Sequence, residues 1–188
     1  MIELALKFYA SMAAFSYAVL FWRHGWDLLH PAPGWAFWSA VACALGLLTC
    51  WLSKVFLSHF QWAKDMEEEF LRLLGPLTLG EVAILAGTSG IGEESLFRGV
   101  LQPWLGFVAA SVVFAIVHTP MTKKLRAWPF FAVAIGFVLG GLMIVSGSLI
   151  PPIVMHATIN GVNLYLIGDK ARELGIPRPK FPPDPPPE

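Results

Sequence analysis

The chain of 188 residues is 56% hydrophobic and only 14% charged, with a mean hydropathy of +0.62. Soluble domains carry about 25% charged residues, so the composition sets a water-bathed globule aside and points to lipid. A formal net charge of zero leaves no footprint for nucleic acid, and two cysteines make neither a disulfide framework nor a metal set.

Six apolar runs are each long enough to cross a bilayer as helices, at roughly 4–22, 35–53, 77–101, 104–120, 128–146 and 148–168. The expected fold is all-α: a polytopic membrane helix bundle of about six transmembrane helices plus one amphipathic interfacial helix. The first run has Glu3 ahead of Lys7 in place of a basic leader, and no small-residue cleavage site before Trp22. It reads as a retained helix, not a signal peptide. In the second run Cys43 and Cys50 lie seven apart on one face, as small packing residues do.

Residues 55–75 differ in kind. Phe56, Phe60, Ala63, Phe70 and Leu74 recur at helical spacing while Lys64, Asp65, Glu67, Glu68 and Glu69 fill other positions. This is an amphipathic helix, either lying at the interface or packed over the bundle. The third run is polar for its class, with Glu81, Glu93, Glu94 and Arg98, and a re-entrant course there would change the span count. Pro76, Pro103, Pro129 and Pro151-Pro152 fall near proposed ends, as do Trp22, Trp26, Trp35, Trp38, Trp51, Trp104 and Trp128. From Asp169 the chain is charged and then proline-rich, ending Pro182-Pro183-Asp184-Pro185-Pro186-Pro187-Glu188, and is expected to be an extended, poorly ordered tail.

Positive charge sets orientation. With six spans, Lys54, Lys64, Arg72, Lys123, Lys124, Arg126, Lys170, Arg172, Arg178 and Lys180 fall on one side, and little beyond Arg23 on the other. Both termini are then expected on the cytoplasmic side of an integral membrane protein.

Six polar residues stand out on otherwise apolar segments: Glu93, Glu94, Arg98, His118, His156 and Asn160. Ionisable groups in hydrocarbon pair with one another or do chemistry. Glu94 and Arg98 are four apart with the acid on the favourable side, and the plain reading is a structural ion pair. Glu93 is turned about 100° from Glu94 and has no local partner, which makes it the best candidate for a general base. Taken singly, His118, His156 and Asn160 are more often structural, bonding neighbouring helices. The case for chemistry is their co-occurrence on separate helices. A short turn near Pro103-Trp104 would make the third and fourth runs antiparallel, putting Glu93 opposite about residue 114 and within roughly a turn of His118. Asn160 is one turn from His156, with Asn163 close by.

With those residues in view, the chain resembles the CPBP family of intramembrane proteases, which includes CAAX prenyl endopeptidases and Abi-type bacteriocin-processing or immunity proteins. The signatures are Glu-Glu-x-x-x-Arg, Phe-x-x-x-His and His-x-x-x-Asn/Asp, and here they read Glu93-Glu94…Arg98, Phe114…His118 and His156…Asn160 in the family's order. The resemblance divides a single domain into an N-terminal part (1–75), a catalytic bundle (76–168) and the tail (169–188). It implies that Glu93 activates water, His118 binds or orients it, and His156 and Asn160 polarise the carbonyl and stabilise the oxyanion. Glu94 and Arg98 would hold the geometry. A metal-independent mechanism without cofactor is expected; zinc on Glu93, His118 and His156 is the alternative. The implied partner is a membrane-associated protein or peptide substrate in the lipid bilayer of a bacterial cytoplasmic membrane. Competing readings are a non-catalytic binding protein of the same fold, such as an immunity factor or chaperone, a sortase-like transpeptidase for C-terminal sorting signals, and a proton-linked transporter.

Overall fold

A computed structural model describes residues 2–25, 32–119 and 122–179; Trp26, Lys180 and the proline-rich end lie outside the described residues. The elements are α1 (Ile2–His24), α2 (Trp35–His59), α3 (Gln61–Leu74), α4 (Leu79–Glu94), a π-helical stretch (Ser95–Leu101), α5 (Gln102–Leu105), α6 (Phe107–Val117), a 3-10 turn (Lys123–Leu125), α7 (Trp128–Ser146) and α8 (Ile150–Glu173). No strand occurs among the described residues, and the all-α membrane architecture is borne out.

Four helical segments are long and apolar enough to cross a membrane: α1, α2, Lys123–Ser146 and α8. A fifth arises only if α3 and Leu79–Leu105 count as one span bent by 108°. The remaining apolar run, expected over 104–120, yields the eleven-residue α6, about 16 Å long against a hydrocarbon core of about 30 Å. Its ends explain the shortening. Trp104 and Leu105 close α5, and Gly106 then takes φ 84°, ψ 164°, a conformation that glycine adopts without a Cβ clash. At the other end the His118 N–H turns back to the Ala115 carbonyl at 3.1 Å.

Local chemistry sets the other boundaries. Thr78 and Glu81 form a reciprocal capping box at the start of α4. Pro103, Pro129 and Pro151-Pro152 occupy first-turn positions in α5, α7 and α8, where their missing N–H is not needed. The amphipathic helix begins at Gln61, later than the expected 55, because Phe60 is extended (φ −120°, ψ 130°) and stacks on Trp62 at 5.6 Å. Residues before it complete α2. Helix α8 also continues past Asp169, its last turn held by ion pairs from Lys170 to Glu67 (2.6 Å) and Arg172 to Asp169 (2.9 Å). Beyond it, Arg178 clamps Glu81 through two hydrogen bonds of 2.8 and 2.9 Å.

Helices in lipid associate through small residues that let backbones approach, and those contacts place α8 between α2 and α4. A Cβ on Gly46 of α2 would lie 3.0 Å from the Thr158 side chain, and one on Gly90 of α4 would lie 3.3 Å from the Ala157 nitrogen. On another face of α4, a Cβ on Gly92 would lie 2.9 Å from the Tyr9 carbonyl of α1. Ala42, Leu139, Leu142 and Met155 close one core between α2, α7 and α8. Phe97, Phe114, Ala115 and Ala132 close a second around α6. Phe8, Phe15, Trp22, Trp51, Val108 and Phe130 are exposed on the outside, as lipid-facing side chains are.

Candidate active site

Glu93 and Glu94 end α4 where the backbone widens into the π-helical stretch, a departure from α geometry often met at functional sites. Glu94 is completely buried. Its carboxylate takes the Arg98 guanidinium at 3.2 and 3.3 Å, so the pair anticipated from their spacing is present. Arg98, 2% exposed, also donates to the Gly136 carbonyl (3.1 Å) and stacks over the Phe114 ring (4.4 Å).

Sequence spacing gave no sign of a second duty of Glu94. Its Oε1 lies 2.6 Å from His156 Nδ1, a short charge-assisted contact. That bond fixes the ring of His156 and turns its Nε2 towards Glu93, 3.9 Å from Oε2. His118 is oriented in the same way by a different partner. Its Nδ1 donates to the Phe114 carbonyl at 2.7 Å, leaving Nε2 to face Glu93 Oε2 at 3.4 Å. His118 itself caps α6 with φ −90°, ψ 10°, in the sparsely populated bridge region where active-site residues recur.

Two imidazoles, each tied by Nδ1, thus present Nε2 to one oxygen of a buried carboxylate. Both approaches to Oε2 are longer than a charge-assisted hydrogen bond, and the oxygen has no close partner. Asn160 joins from one turn along α8. Its amide donates to Ser89 Oγ at 2.9 Å, and Ser89 is one turn before Glu93 on α4. Glu93, Glu94, Arg98, His118 and His156 are therefore joined by contacts, and Asn160 lines the same cavity as Glu93 and the two histidines. Among the described residues no three His, Cys, Asp or Glu side chains are grouped so as to hold a metal ion.

One neighbour came from outside that set. Tyr9 of α1 interacts through its phenol with the Glu93 carboxylate. An aromatic residue in an apolar run carries no signal of its own; the signal is on the facing helix, where Gly92 admits the Tyr9 backbone.

Glu93, His118, His156, Asn160 and Tyr9 line a cavity of about 780 Å³. Lys54 of α2, Glu67 of α3, and Asp169, Lys170 and Glu173 of α8 line it as well. Helix α3 lies over it, presenting Trp62, Met66 and Phe70.

Residues 75–162 match a family model described as Type II CAAX prenyl endopeptidase Rce1-like. This segment is similar to the Rce1-like family. The family is one of intramembrane CAAX-type proteases, in keeping with the resemblance seen in the motifs, and the Rce1-like segment holds Glu93, Glu94, Arg98, His118, His156 and Asn160. Tyr9 lies outside it, as do α2 and α3. The chain is also 32% identical over 93 residues to the uncharacterized protein YpbD of Bacillus subtilis (strain 168). That alignment spans about half of each protein, 48% of this chain and 48% of the relative. No solved structure matches.

Proposed function

We propose that the protein is an intramembrane endopeptidase in which Glu93 activates water against a peptide bond near the end of a membrane-associated substrate. The observation that carries this reading is the approach of two Nδ1-anchored imidazoles to Glu93 Oε2, at 3.4 and 3.9 Å, in the wall of the large cavity. Glu93 accepts a proton from water as the oxygen adds to the scissile carbonyl. In this reading His118 Nε2 holds that water, and His156 with the remaining Asn160 amide hydrogen stabilises the tetrahedral oxyanion, the largest single contribution in such sites. The proton on Glu93 then passes to the leaving nitrogen as the C–N bond breaks, restoring the carboxylate. The reaction as proposed uses no metal.

Orientation supports a substrate taken from the cytoplasmic side. Lys54, Lys64, Arg72, Lys123, Lys124, Arg126, Lys170 and Arg172 all belong to the end of the bundle where Lys54, Glu67 and Lys170 line the cavity, and Arg23 to the opposite end. By the positive-inside rule that end is cytoplasmic, which favours hydrolysis of cytoplasmic tails over processing of sorting signals on the outer face.

The test compares wild type with Glu93→Gln on membrane-anchored peptides, with and without a zinc chelator, reading products by mass spectrometry. Cleavage that is lost in the variant and survives the chelator is the expected result. Loss with chelator would transfer the role to a metal, and turnover by Glu93→Gln would end the assignment of the base. A wild type that cuts nothing would leave a binding protein.

A further inference from the structure

Resting on the peptidase reading, we propose that Ser89 is a positioning residue for the reaction: its hydroxyl sets which way the Asn160 amide faces and so keeps an N–H ready for the tetrahedral oxyanion. Ser89 is buried, and it lines the cavity together with Glu93, His156 and Asn160. Helices α4 and α8 run antiparallel, since Glu94 meets His156, Ser89 meets Asn160, and a Cβ on Gly161 would lie 3.7 Å from that of Ala86. Asn160 is one turn from His156 on one helix, as Ser89 is one turn from Glu93 on the other, about 6 Å in each case.

An asparagine amide ends in a carbonyl that only accepts and an NH2 that only donates. The second stabilises an oxyanion and the first repels it, so the sense of the amide matters. The bond to Ser89 Oγ, at 2.9 Å, is the one hydrogen bond of the Asn160 side chain to a described residue. Ser89 can set the sense because its single proton is directed elsewhere, to the Ala86 carbonyl at 3.3 Å on the same helix. Towards α8 the hydroxyl then accepts, the amide nitrogen turns to it, and the second amide hydrogen is left for a ligand. A reversed amide would set its oxygen against the Ser89 lone pairs, or break the bond to Ala86.

The bond is not needed to join the helices. A Cβ on Gly90 would lie 3.3 Å from both the Ala157 nitrogen and the Ile153 carbonyl oxygen, so the two backbones already touch beside it. Removing the hydroxyl leaves the Asn160 backbone in place and frees its terminal torsion, which has broad preferences of its own.

The experiment reads the amide first without turnover. The chain has two asparagines, Asn160 and Asn163, so isotope-labelled asparagine gives two side-chain NH2 groups in the magnetic-resonance spectrum of the protein in lipid nanodiscs. The group lost in Asn160→Leu is that of Asn160. One of its hydrogens should be shifted by the bond to Ser89; the shift should vanish in Ser89→Ala and persist in Ser89→Thr. Kinetics then use a membrane-anchored peptide that wild type cleaves. Ser89→Ala should lower kcat about tenfold with KM held, short of the loss of about 10²-fold or more for removing an oxyanion donor outright. Ser89→Thr, which keeps the hydroxyl, should recover most of it. In the Asn160→Leu background Ser89→Ala should cost nothing further, because the group it positions is gone. A loss that multiplies in the double variant would make Ser89 a packing residue and overturn the proposal. Wild-type kcat in Ser89→Ala, or an Asn160 signal that Ser89→Ala leaves unmoved, would overturn it too. A wild type that cuts no peptide ends the peptidase reading separately, and the Asn160 spectrum still decides whether Ser89 sets the amide.

Discussion

Removing the Arg98 guanidinium is the sharpest test of how the site is held. Arg98→Ala strands Glu94, which is completely buried, and breaking a buried ion pair from one side costs ~3–5 kcal/mol. It also deletes the hydrogen bond to the Gly136 carbonyl, worth about 1 kcal/mol, and the stacking on Phe114, worth about 0.5–2 kcal/mol. The remaining bond from His156 to Glu94 offsets part of this. A net loss of about 4 kcal/mol corresponds to roughly 10 °C in melting temperature for a chain of this size. The assay is the temperature at which half the detergent-solubilised protein is lost from the monodisperse peak. Arg98→Met, which retains most of the volume, separates charge from cavity and should recover only the packing part. Glu94→Gln combined with Arg98→Met removes both charges and should recover most of the stability, since a buried pair is worth little against neutral residues of similar shape. A melting temperature for Arg98→Met within a degree or two of wild type would refute the reasoning, as would a double variant no better than the single.

Three further outcomes follow from the geometry. Gly92→Ala puts a methyl 2.9 Å from the Tyr9 carbonyl, so α1 must move; a loss of about 1–3 kcal/mol is expected in the same thermal assay, together with reduced turnover, and an unchanged melting point would show that α1 does not pack as described. Tyr9→Phe removes only the hydroxyl facing Glu93 and should lower kcat by about tenfold, the worth of one hydrogen bond of about 1.4 kcal/mol, with stability within about 1 kcal/mol of wild type; full activity would leave Tyr9 no part in the reaction. Asn160→Leu leaves Ser89 only its bond to the Ala86 carbonyl and removes an oxyanion donor, so kcat should fall about 10²-fold or more while KM holds, and a change in KM alone would make Asn160 a substrate-binding group instead.

The solvent, the helical secondary structure and the chemical inventory were legible in the sequence. Apolar runs above the length of a bilayer crossing leave helix as the available structure, and the Glu94–Arg98 pair was readable because both its partners lie on one helix four residues apart. The helix limits were less legible, because they turned on single backbone conformations: Gly106 cut α6 to eleven residues and Phe60 delayed α3. Which groups meet was set by how the helices pack. The bond from Glu94 to His156 spans 62 residues, and the approach of Tyr9 to Glu93 depends on a glycine next to the carboxylate. The physical reason is that hydrophobicity does not choose partners inside lipid, where every apolar face is equally content. Close approach at small residues and the pairing of buried polar groups make that choice, and both are properties of two helices at once.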